Sequence, residues 1–474
     1  MLEKWKTIIE PFRIKMIEPL GFTSDEERET LLKKAHYNLF QIPADKVLID
    51  LLTDSGTSAM SSEQWACMMR GDESYAGARS FFIFEKAVKD LTGYQYVLPV
   101  HQGRAAERIL MSVLCGPGKT VIANTHFDTT RANVEAVGAR ALDLPVKEAL
   151  DFAAPDPFKG NIDIPALKKS IAEIGAENIP MIIMTITNNS LGGQPVSLAN
   201  LKEASEVARK NKIPLMIDAA RFAENAFLIK QREPGQGSRP VLDIAREIFS
   251  CASGCLMSAK KDAFANIGGF LAFNNLEWLK KSKDLLILGE GFPTYGGLAG
   301  RDLEAIAQGL KEILDENYLS YRMRSAQYLA EGLRRSGVPI VEPPGGHAIY
   351  VDAKRFLPHI PPSQFPAQSL VCELYLTAGI RSVEVGSLMF GRGVGADFKP
   401  ASMELVRLAL PRRVYTQSHV DFIIEVFGDI ARRKESLRGL EITEEPASLR
   451  HFTVKLKPIA ELGVRLRKRK EVLR

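Results

Sequence analysis

The alternation of apolar runs with amphipathic segments in the middle of the chain most constrains its fold. Residues 181–186 form an almost unbroken apolar run, which is typical of a strand buried on both faces. Residues 201–210 then have the apolar spacing of a helix, and residues 213–218 form a second apolar run that ends in Asp218. Strand, helix and strand in this order predict a parallel sheet covered by helices on both faces.

The pattern changes towards both ends of the chain. Before about residue 50 and after about residue 320, helical segments lead into proline-rich connectors. A chain of 474 residues is also longer than one compact core usually allows. We therefore expect an N-terminal arm and part of a small domain over residues 1–50, a large domain over residues 51–320, and the rest of a small α+β domain with a basic tail over residues 321–474.

The composition excludes several functional classes. Hydrophobic residues make up 45% of the chain and charged residues 25%, as in soluble globular proteins. Much of the net charge of +5 comes from the tail, so the body of the chain offers no basic surface for nucleic acid. No apolar run has the length of a membrane span, the N-terminus lacks a signal-peptide core, and five scattered cysteines do not suggest a disulfide framework. We expect a cytoplasmic protein.

A pair of lysines, Lys260 and Lys261, stands between two apolar stretches, so we expect both side chains to be buried. Burying two cations together is costly unless a bound anion, or conversion of one amine to an imine, offsets it. Pyridoxal phosphate would supply both, because its phosphate attracts one lysine and its aldehyde condenses with the other. The alternative is a solvated lysine pair on a helix, without a cofactor.

Three segments that precede the lysines fit the same cofactor. Gln102, Gly103 and Arg104 begin a predicted helix whose N–H groups could hold a phosphate, although an ordinary helix start is an alternative. Asn189 could donate to the ring's phenolic oxygen, or could simply form a turn. Asp218 could keep the pyridine nitrogen protonated, or could cap a helix. The order of these segments, with a lysine following, is more specific than any one of them.

Seven segments of the chain are similar to segments of the β-eliminating lyases of aromatic amino acids, which are pyridoxal phosphate enzymes. The resemblance runs from about Pro19 to Lys457, and its segments are residues 52–57, 71–77, 101–107, 192–197, 258–262, 295–302 and 406–408. It implies an α/β protein with the PLP-dependent transferase fold, which is aspartate aminotransferase-like (fold type I). In this fold a large domain with a mostly parallel sheet accompanies a smaller α+β domain.

The resemblance also implies roles for individual residues. Lys261 would form the Schiff base with the cofactor and remove the α-proton of the substrate, with Lys260 as its charged neighbour. The other residues implied around the cofactor are Gln102, Gly103, Arg104 and Ser258 at the phosphate, Phe127 against the ring, and Asn189, Asp218 and Arg221 at the polar atoms of the ring. Arg407 would pair with the substrate carboxylate, and Thr53 would also lie in the substrate site.

The family pattern extends to assembly and to a metal ion. Tyr75 would reach the active site of a neighbouring subunit and assist proton transfer to the leaving group, within a homotetramer. A monovalent cation, K⁺, would be bound by Glu73 and by the backbone carbonyls of Gly56 and Asn266.

Three positions bear on the substrate. Family members that act on tyrosine have arginine, threonine and phenylalanine where this chain has Val385, Asp128 and His451. Val385 offers an apolar wall for indole, while Asp128 and His451 could serve the indole N–H and proton transfer at its ring. The alternatives are that Asp128 caps a helix and that His451 is a packing residue.

We therefore expect β-elimination of L-tryptophan to indole, pyruvate and ammonia. The competing hypotheses are a lyase of tyrosine or of S-alkyl cysteines, and a catalytically inactive protein that binds pyridoxal phosphate or serves as a scaffold.

Overall fold

The computed structural model describes residues 8–393, 398–446 and 449–459, which divide into two compact units. The larger unit contains Leu51–Val351 and Arg407–Gly428 together with the described residues before Pro19. The smaller unit contains Pro19–Asp50, Asp352–Val406 and the described residues from Asp429 onward. The basic tail predicted from Arg465, Arg467, Lys468, Arg469, Lys470 and Arg474 lies outside the described residues.

The α-helices in the described part of the chain follow in this order. They are α1 (Asp25–Lys34), α2 (Ser62–Arg70), α3 (Arg79–Thr92), α4 (Gly103–Leu114), α5 (Asp128–Ala136), α6 (Ile164–Ile174), α7 (Leu198–Lys210), α8 (Phe222–Arg232), α9 (Val241–Ser250), α10 (Leu276–Gly289), α11 (Gly300–Glu312), α12 (Glu316–Arg335), α13 (Ala353–Phe356), α14 (Pro366–Ala378), α15 (Ser387–Phe390) and α16 (Gln417–Arg432).

The strands of the same part of the chain are β1 (Ile49–Asp50), β2 (Tyr96–Val100), β3 (Thr120–Ala123), β4 (Arg140–Asp143), β5 (Ile182–Thr185), β6 (Leu215–Asp218), β7 (Gly254–Ser258), β8 (Gly269–Phe273), β9 (Ala348–Asp352), β10 (Ile380–Arg381), β11 (Val383–Val385), β12 (Leu405–Ala409), β13 (Leu440–Glu444) and β14 (Lys455–Pro458).

The larger unit is built on one sheet with the strand order β2-β8-β7-β6-β5-β3-β4. Strand β8 runs opposite to all the other strands of this sheet. The two apolar runs predicted to be neighbouring buried strands are β5 and β6, which pair in parallel with Thr185 opposite Asp218. The predicted α/β class with a mostly parallel sheet is confirmed.

Each face of this sheet carries its own hydrophobic core, because successive side chains of a strand point to opposite faces. Ile217 and Met257 lie in the core formed with helices α3, α8 and α9. Met216 and Leu256, their neighbours in the chain, lie in the core formed with helices α4 and α10. The helices therefore cover both faces of the sheet.

The limits of the larger unit differ from the predicted division at residue 320. Helix α12 runs through that position, and Tyr318, Leu319 and Met323 on this helix belong to the core of the larger unit. The unit consequently continues to Val351. Burial of one face of α12 against this core, rather than the change in sequence pattern, decides where the compact unit ends.

The smaller unit joins residues from both ends of the chain. Strand β1 pairs in parallel with β10, with Ile49 opposite Ile380, and Arg381 donates two hydrogen bonds to Asp50. Strands β13 and β14 form an antiparallel pair. Within the described ranges, no helix is long and apolar enough to span a bilayer.

We predict that Phe84→Ala destabilises the larger unit strongly, because Phe84 on α3 is 0% exposed and packs in the core that contains Ile217 and Met257. The expected loss in the free energy of unfolding is about 3–5 kcal/mol. The matched control is Phe82→Ala on the same helix, where Phe82 is 55% exposed and the expected loss is less than about 1 kcal/mol. Urea denaturation of the cofactor-free chain measures both, and equal losses would contradict the packing described.

Candidate active site

Polar residues follow the ends of several strands of the main sheet and meet at one cavity in the larger unit. The predicted cofactor and substrate residues that line this cavity are Thr53, Gln102, Gly103, Arg104, Phe127, Asn189, Asp218, Arg221, Ser258, Lys260, Lys261 and Arg407. Because the carboxyl ends of parallel strands share one edge of a sheet, segments far apart in the chain converge here.

The start of helix α4 has the features expected of an anion-binding cup. Gln102 precedes the helix in extended conformation, and its side chain does not cap the first N–H groups. A Cβ atom at Gly103 would lie 2.9 Å from the Cβ atom of Ser258, so glycine allows the helix start to approach the end of β7. Arg104 lines the cavity beside this helix start. Uncapped N–H groups, an arginine and a nearby serine hydroxyl fit a phosphate group.

The two lysines follow β7 and are partly buried at the cavity, rather than fully enclosed as their apolar flanks suggested. The Nζ atom of Lys261 lies 3.4 Å from the Oγ atom of Ser55, and that of Lys260 lies 3.5 Å from the Oε1 atom of Gln102. Burial, followed by the positive charge of Arg221, lowers the pKa of Lys261 to about 8. Burial and the charge of Arg104 also lower the pKa of Lys260.

Asp218 lies at the end of β6 with its carboxyl group facing the cavity. Burial raises its pKa, while the positive charges of Lys261 and Arg221 act in the opposite direction. Its Oδ1 atom accepts a hydrogen bond from the N–H of Ala220 at 3.1 Å. Asp218 is not the N-cap of helix α8, since that position is held by Arg221.

Asn189 and Arg407 are directly connected, although 218 residues separate them in the chain. The Oδ1 atom of Asn189 accepts hydrogen bonds from Arg407 at 3.0 Å and from the Tyr350 hydroxyl at 2.8 Å, and the Nε2 atom of His347 lies 3.0 Å away. Arg407 also donates to the carbonyl oxygen of Leu52 at 2.9 Å. The amide oxygen is therefore fully used, which fixes the orientation of the Asn189 side chain. His347 and Tyr350 were not predicted, because neither belongs to a recognisable motif.

A buried ion network holds the residues around Lys261 in place. Arg221 donates two hydrogen bonds to Asp54, at 2.7 and 2.9 Å. Arg412 donates to Asp54 at 2.9 Å and to both Glu224 and Asp262 at 2.8 Å. Although burial alone would raise it, Arg221 and Arg412 hold the pKa of Asp54 well below its usual range. Asp54 and Asp262 lie in segments that carry the family resemblance, but nothing in their spacing predicts a shared arginine.

Other predicted residues lie away from the cavity lining. Tyr75 is 69% exposed and its ring centroid lies 5.3 Å from that of Tyr295. Glu73 forms an ion pair with Arg301 at 3.0 Å. A Cβ atom at Gly56 would lie 3.2 Å from the carbonyl oxygen of Asn266, so these two predicted cation ligands are neighbours.

The three positions that bear on the substrate are divided between the two units. Asp128 begins helix α5 in the larger unit, between Phe127 and Thr129, which line the cavity. Burial raises its pKa, against the charges of Arg407 and Arg104. In the smaller unit, Val385 is buried at the end of β11, and the buried His451 ring lies 3.9 Å from that of Phe452.

Comparison with known proteins identifies the family. Residues 50–426 match the sequence profile of the family described as "Beta-eliminating lyase". The chain belongs to this family. It is therefore a lyase, and the resemblance inferred from its motifs is confirmed.

Relatives with two different names resemble this lyase along almost their whole length. A protein named tryptophanase from Salinibacter ruber is 59% identical over 97% of both chains. A protein named tyrosine phenol-lyase from Symbiobacterium thermophilum is 47% identical, over 95% of this chain and 99% of its own. Among solved structures, a serine palmitoyltransferase from Sphingomonas wittichii matches with a TM-score of 0.60 at 16% identity, covering 87% of this chain and 97% of its own. This likeness concerns the fold, which is of type I.

We predict that Lys261→Met stabilises the cofactor-free chain near neutral pH. The pKa of Lys261 is about 8 in the folded chain against 10.5 in the unfolded chain, so folding releases a proton between these values. The lysine therefore costs stability below pH 8, and the cost fades as the pH rises towards 10.5. We expect Lys261→Met to gain roughly 2 kcal/mol in the free energy of unfolding at pH 7.

Urea denaturation at several pH values between 7 and 10 measures this gain, which should shrink as the pH rises. The control is Lys86→Met, because Lys86 is exposed and pairs with Asp90 on the same helix. A gain for Lys261→Met that does not depend on pH would contradict a lowered pKa of Lys261.

Proposed function

We propose that this lyase uses pyridoxal phosphate to cleave L-tryptophan by β-elimination into indole, pyruvate and ammonia. The observation that carries the proposal is a single cavity lined by the Lys261 amine, the Asp218 carboxyl, the anion-binding cup of α4 and the Arg407 guanidinium. Its relatives support the choice of substrate, since the identity to the tryptophanase of Salinibacter ruber is 59% and that to a tyrosine phenol-lyase 47%.

The cavity residues fit the cofactor. When bound, pyridoxal phosphate supplies an aldehyde that condenses with amines and a ring that withdraws electrons from the α-carbon of an amino acid. Gln102, Gly103, Arg104 and Ser258 would hold the phosphate, and the charge of Lys260 would support it. Phe127 would lie against the ring face, and Asn189 and Arg221 would contact its polar atoms.

Asp218 and Lys261 would act on two protons, the one on the ring nitrogen and the one on the substrate α-carbon. The Asp218 carboxylate would keep the ring nitrogen protonated, which strengthens electron withdrawal from the substrate. Lys261 would take the proton from the substrate α-carbon. With its pKa lowered to about 8, a useful fraction of the amine is neutral near pH 7–8, and only the neutral amine accepts a proton.

Arg407 would orient the substrate through its carboxylate. A planar guanidinium forms paired hydrogen bonds to a carboxylate, which lysine does not. The bonds from Arg407 to Asn189 and to the Leu52 carbonyl fix its position, so that substrate and cofactor contacts share one support. Thr53, next to Leu52 in the chain, lines the same cavity and would complete this part of the substrate site.

Asp128, Val385 and His451 are the residues that we assign to the indole ring. Indole leaves only after its C3 atom is protonated, so the reaction needs an acid near the ring. Asp128, Tyr75 and His451 are the candidates. Burial raises the pKa of Asp128, which favours the protonated form that can donate. Val385 has no polar atom for a phenol hydroxyl, which disfavours tyrosine.

We predict that the chain purified with pyridoxal phosphate releases indole from L-tryptophan, and releases phenol from L-tyrosine at least about 100-fold more slowly. Chromatography of both products measures this ratio. Phenol release without indole release would contradict the choice of substrate, and loss of both products in Lys261→Met is the control for the cofactor lysine.

The same assay with K⁺ replaced by Na⁺ tests the cation that we assign to Glu73, Gly56 and Asn266. Equal rates would argue against a K⁺ site.

We further propose a cytoplasmic homotetramer in which Tyr75 serves the active site of a neighbouring subunit. Exposed apolar side chains support self-association, since Met69 is 84% and Leu288 86% exposed. We predict that light scattering gives the mass of four chains, and that mixing inactive Tyr75→Phe and Lys261→Met chains restores part of the activity. Hybrid tetramers contain sites with both native residues. Monomers, or no recovery on mixing, would contradict this arrangement.

A further inference from the structure

Glu107 is a buried carboxyl group at the cavity that the proposed reaction does not use. It lies on helix α4 one turn after Arg104, is 5% exposed and lines the same cavity as Asp218. A buried carboxyl group is costly unless its oxygens are satisfied. The buried oxygens of Glu107 therefore need hydrogen-bond partners.

The hydrogen-bond partners of Glu107 among the described residues lie on helix α5. Its Oε1 atom accepts a hydrogen bond from the Thr130 hydroxyl at 2.7 Å. Its Oε2 atom accepts from the Thr129 hydroxyl at 3.0 Å and from the Asn133 side-chain amide at 3.2 Å. Thr129 and Thr130 directly follow Asp128 at the start of α5. The carboxyl group thus joins the phosphate-binding helix to the helix that carries Phe127 and Asp128 at its start.

The charges around Glu107 make it sensitive to pH. Burial is the main cause that raises its pKa, the negative charges of Asp218 at the end of β6 and of Asp128 on α5 act in the same direction, and the resulting pKa is about 7. The hydrogen bonds from Thr129 and Thr130 lower it. The cationic groups of the same cavity are Arg104, Arg221, Lys260, Lys261 and Arg407.

We propose that Glu107 is a positioning residue with two effects on the cofactor site. It anchors the first turn of α5, and with it Phe127 and Asp128, to the phosphate-binding helix. Its carboxylate also places a second negative charge near Asp218, which favours the protonated form of the cofactor ring. The second effect rests on the proposed function, because it requires bound pyridoxal phosphate.

Two substitutions separate these effects. Glutamine at position 107 keeps the contacts, because its carbonyl oxygen accepts from Thr129 and Asn133 while its amide donates to the Thr130 hydroxyl. Glu107→Gln therefore removes the charge and leaves the anchor. Thr130→Val removes one hydrogen bond of the anchor and leaves the charge. Glu203→Gln, at an exposed position on α7, is the control for loss of a carboxylate.

The first experiment uses the cofactor-free full chain and follows the melting temperature between pH 5 and 8. A carboxyl group with a pKa of about 7 in the folded chain and 4.5 in the unfolded chain loses its contribution to stability as the pH rises between these values. Glu107→Gln has no such loss. Its melting temperature relative to the native chain should rise by about 2 °C or more across this range, while Glu203→Gln shows no trend. A constant difference for Glu107→Gln would overturn the charge effect.

The second experiment uses the chain loaded with pyridoxal phosphate and follows the absorbance of the bound cofactor from pH 6 to 9. Loss of a negative charge disfavours protonated groups nearby. The pH at the midpoint of the absorbance transition should therefore fall by about 0.5 to 1 pH unit in Glu107→Gln.

In Thr130→Val this midpoint should stay unchanged, because the charge is kept. The backbone amides of residues 128–136 should instead exchange with deuterium several-fold faster, because the anchor is weakened. An unchanged midpoint in Glu107→Gln, or unchanged exchange in Thr130→Val, would overturn the corresponding effect. If the native chain binds no cofactor, the proposed function fails while the first experiment still decides whether Glu107 titrates near pH 7.

Discussion

The hydrogen-bonded register of β5, β6 and β7 is the constraint on which the active site depends. Thr185 lies opposite Asp218, and Asp218 lies opposite Leu256, so these three parallel strands end at the same edge of the sheet. The residues after each strand therefore meet, although the chain between them is long. A shift of one residue in a strand would turn its side chains to the opposite face and remove Asp218 from the cavity. The cores on both faces of the sheet resist such a shift, because each face would have to bury a different set of side chains.

Charge is the second organising feature of the larger unit. Several cationic side chains line the cavity, and their positive charge suits a ligand with a phosphate and a substrate with a carboxylate. Behind it, Arg221 pairs with the buried carboxylate of Asp54, and Arg412 pairs with those of Asp54, Glu224 and Asp262. Removing one member would leave a buried charge without its partner, which is among the most destabilising changes in a protein interior. The pKa of Lys261 reflects its place in this arrangement, since burial and then Arg221 lower it while Asp54 and Asp218 raise it.

The contacts of Asn189 and Glu107 show how the site is held together across the chain. Asn189 joins Arg407 on β12 to His347 and Tyr350 at β9, so two segments beyond the main sheet meet at its side chain. Glu107 joins helix α4 to helix α5. In both cases a polar side chain at the cavity is oriented by partners from other segments of the chain. Rigid support of this kind is what precise placement of reactive groups requires.

The sequence by itself determined the fold class and most of the cavity lining. Apolar periodicity placed β5, α7 and β6 within a few residues of their observed limits, because burial on two faces demands continuous apolar runs. The order of Gln102, Asn189, Asp218 and Lys261 along the chain indicated a pyridoxal phosphate site. These residues meet because each lies at the end of a strand of that sheet or shortly after it. Only the tertiary structure decided where the compact units end, which carboxylates accept from Arg412, and that Glu107 reaches Thr129 and Thr130. These depend on which helices pack together and on distances between side chains remote in sequence, and no local pattern encodes them.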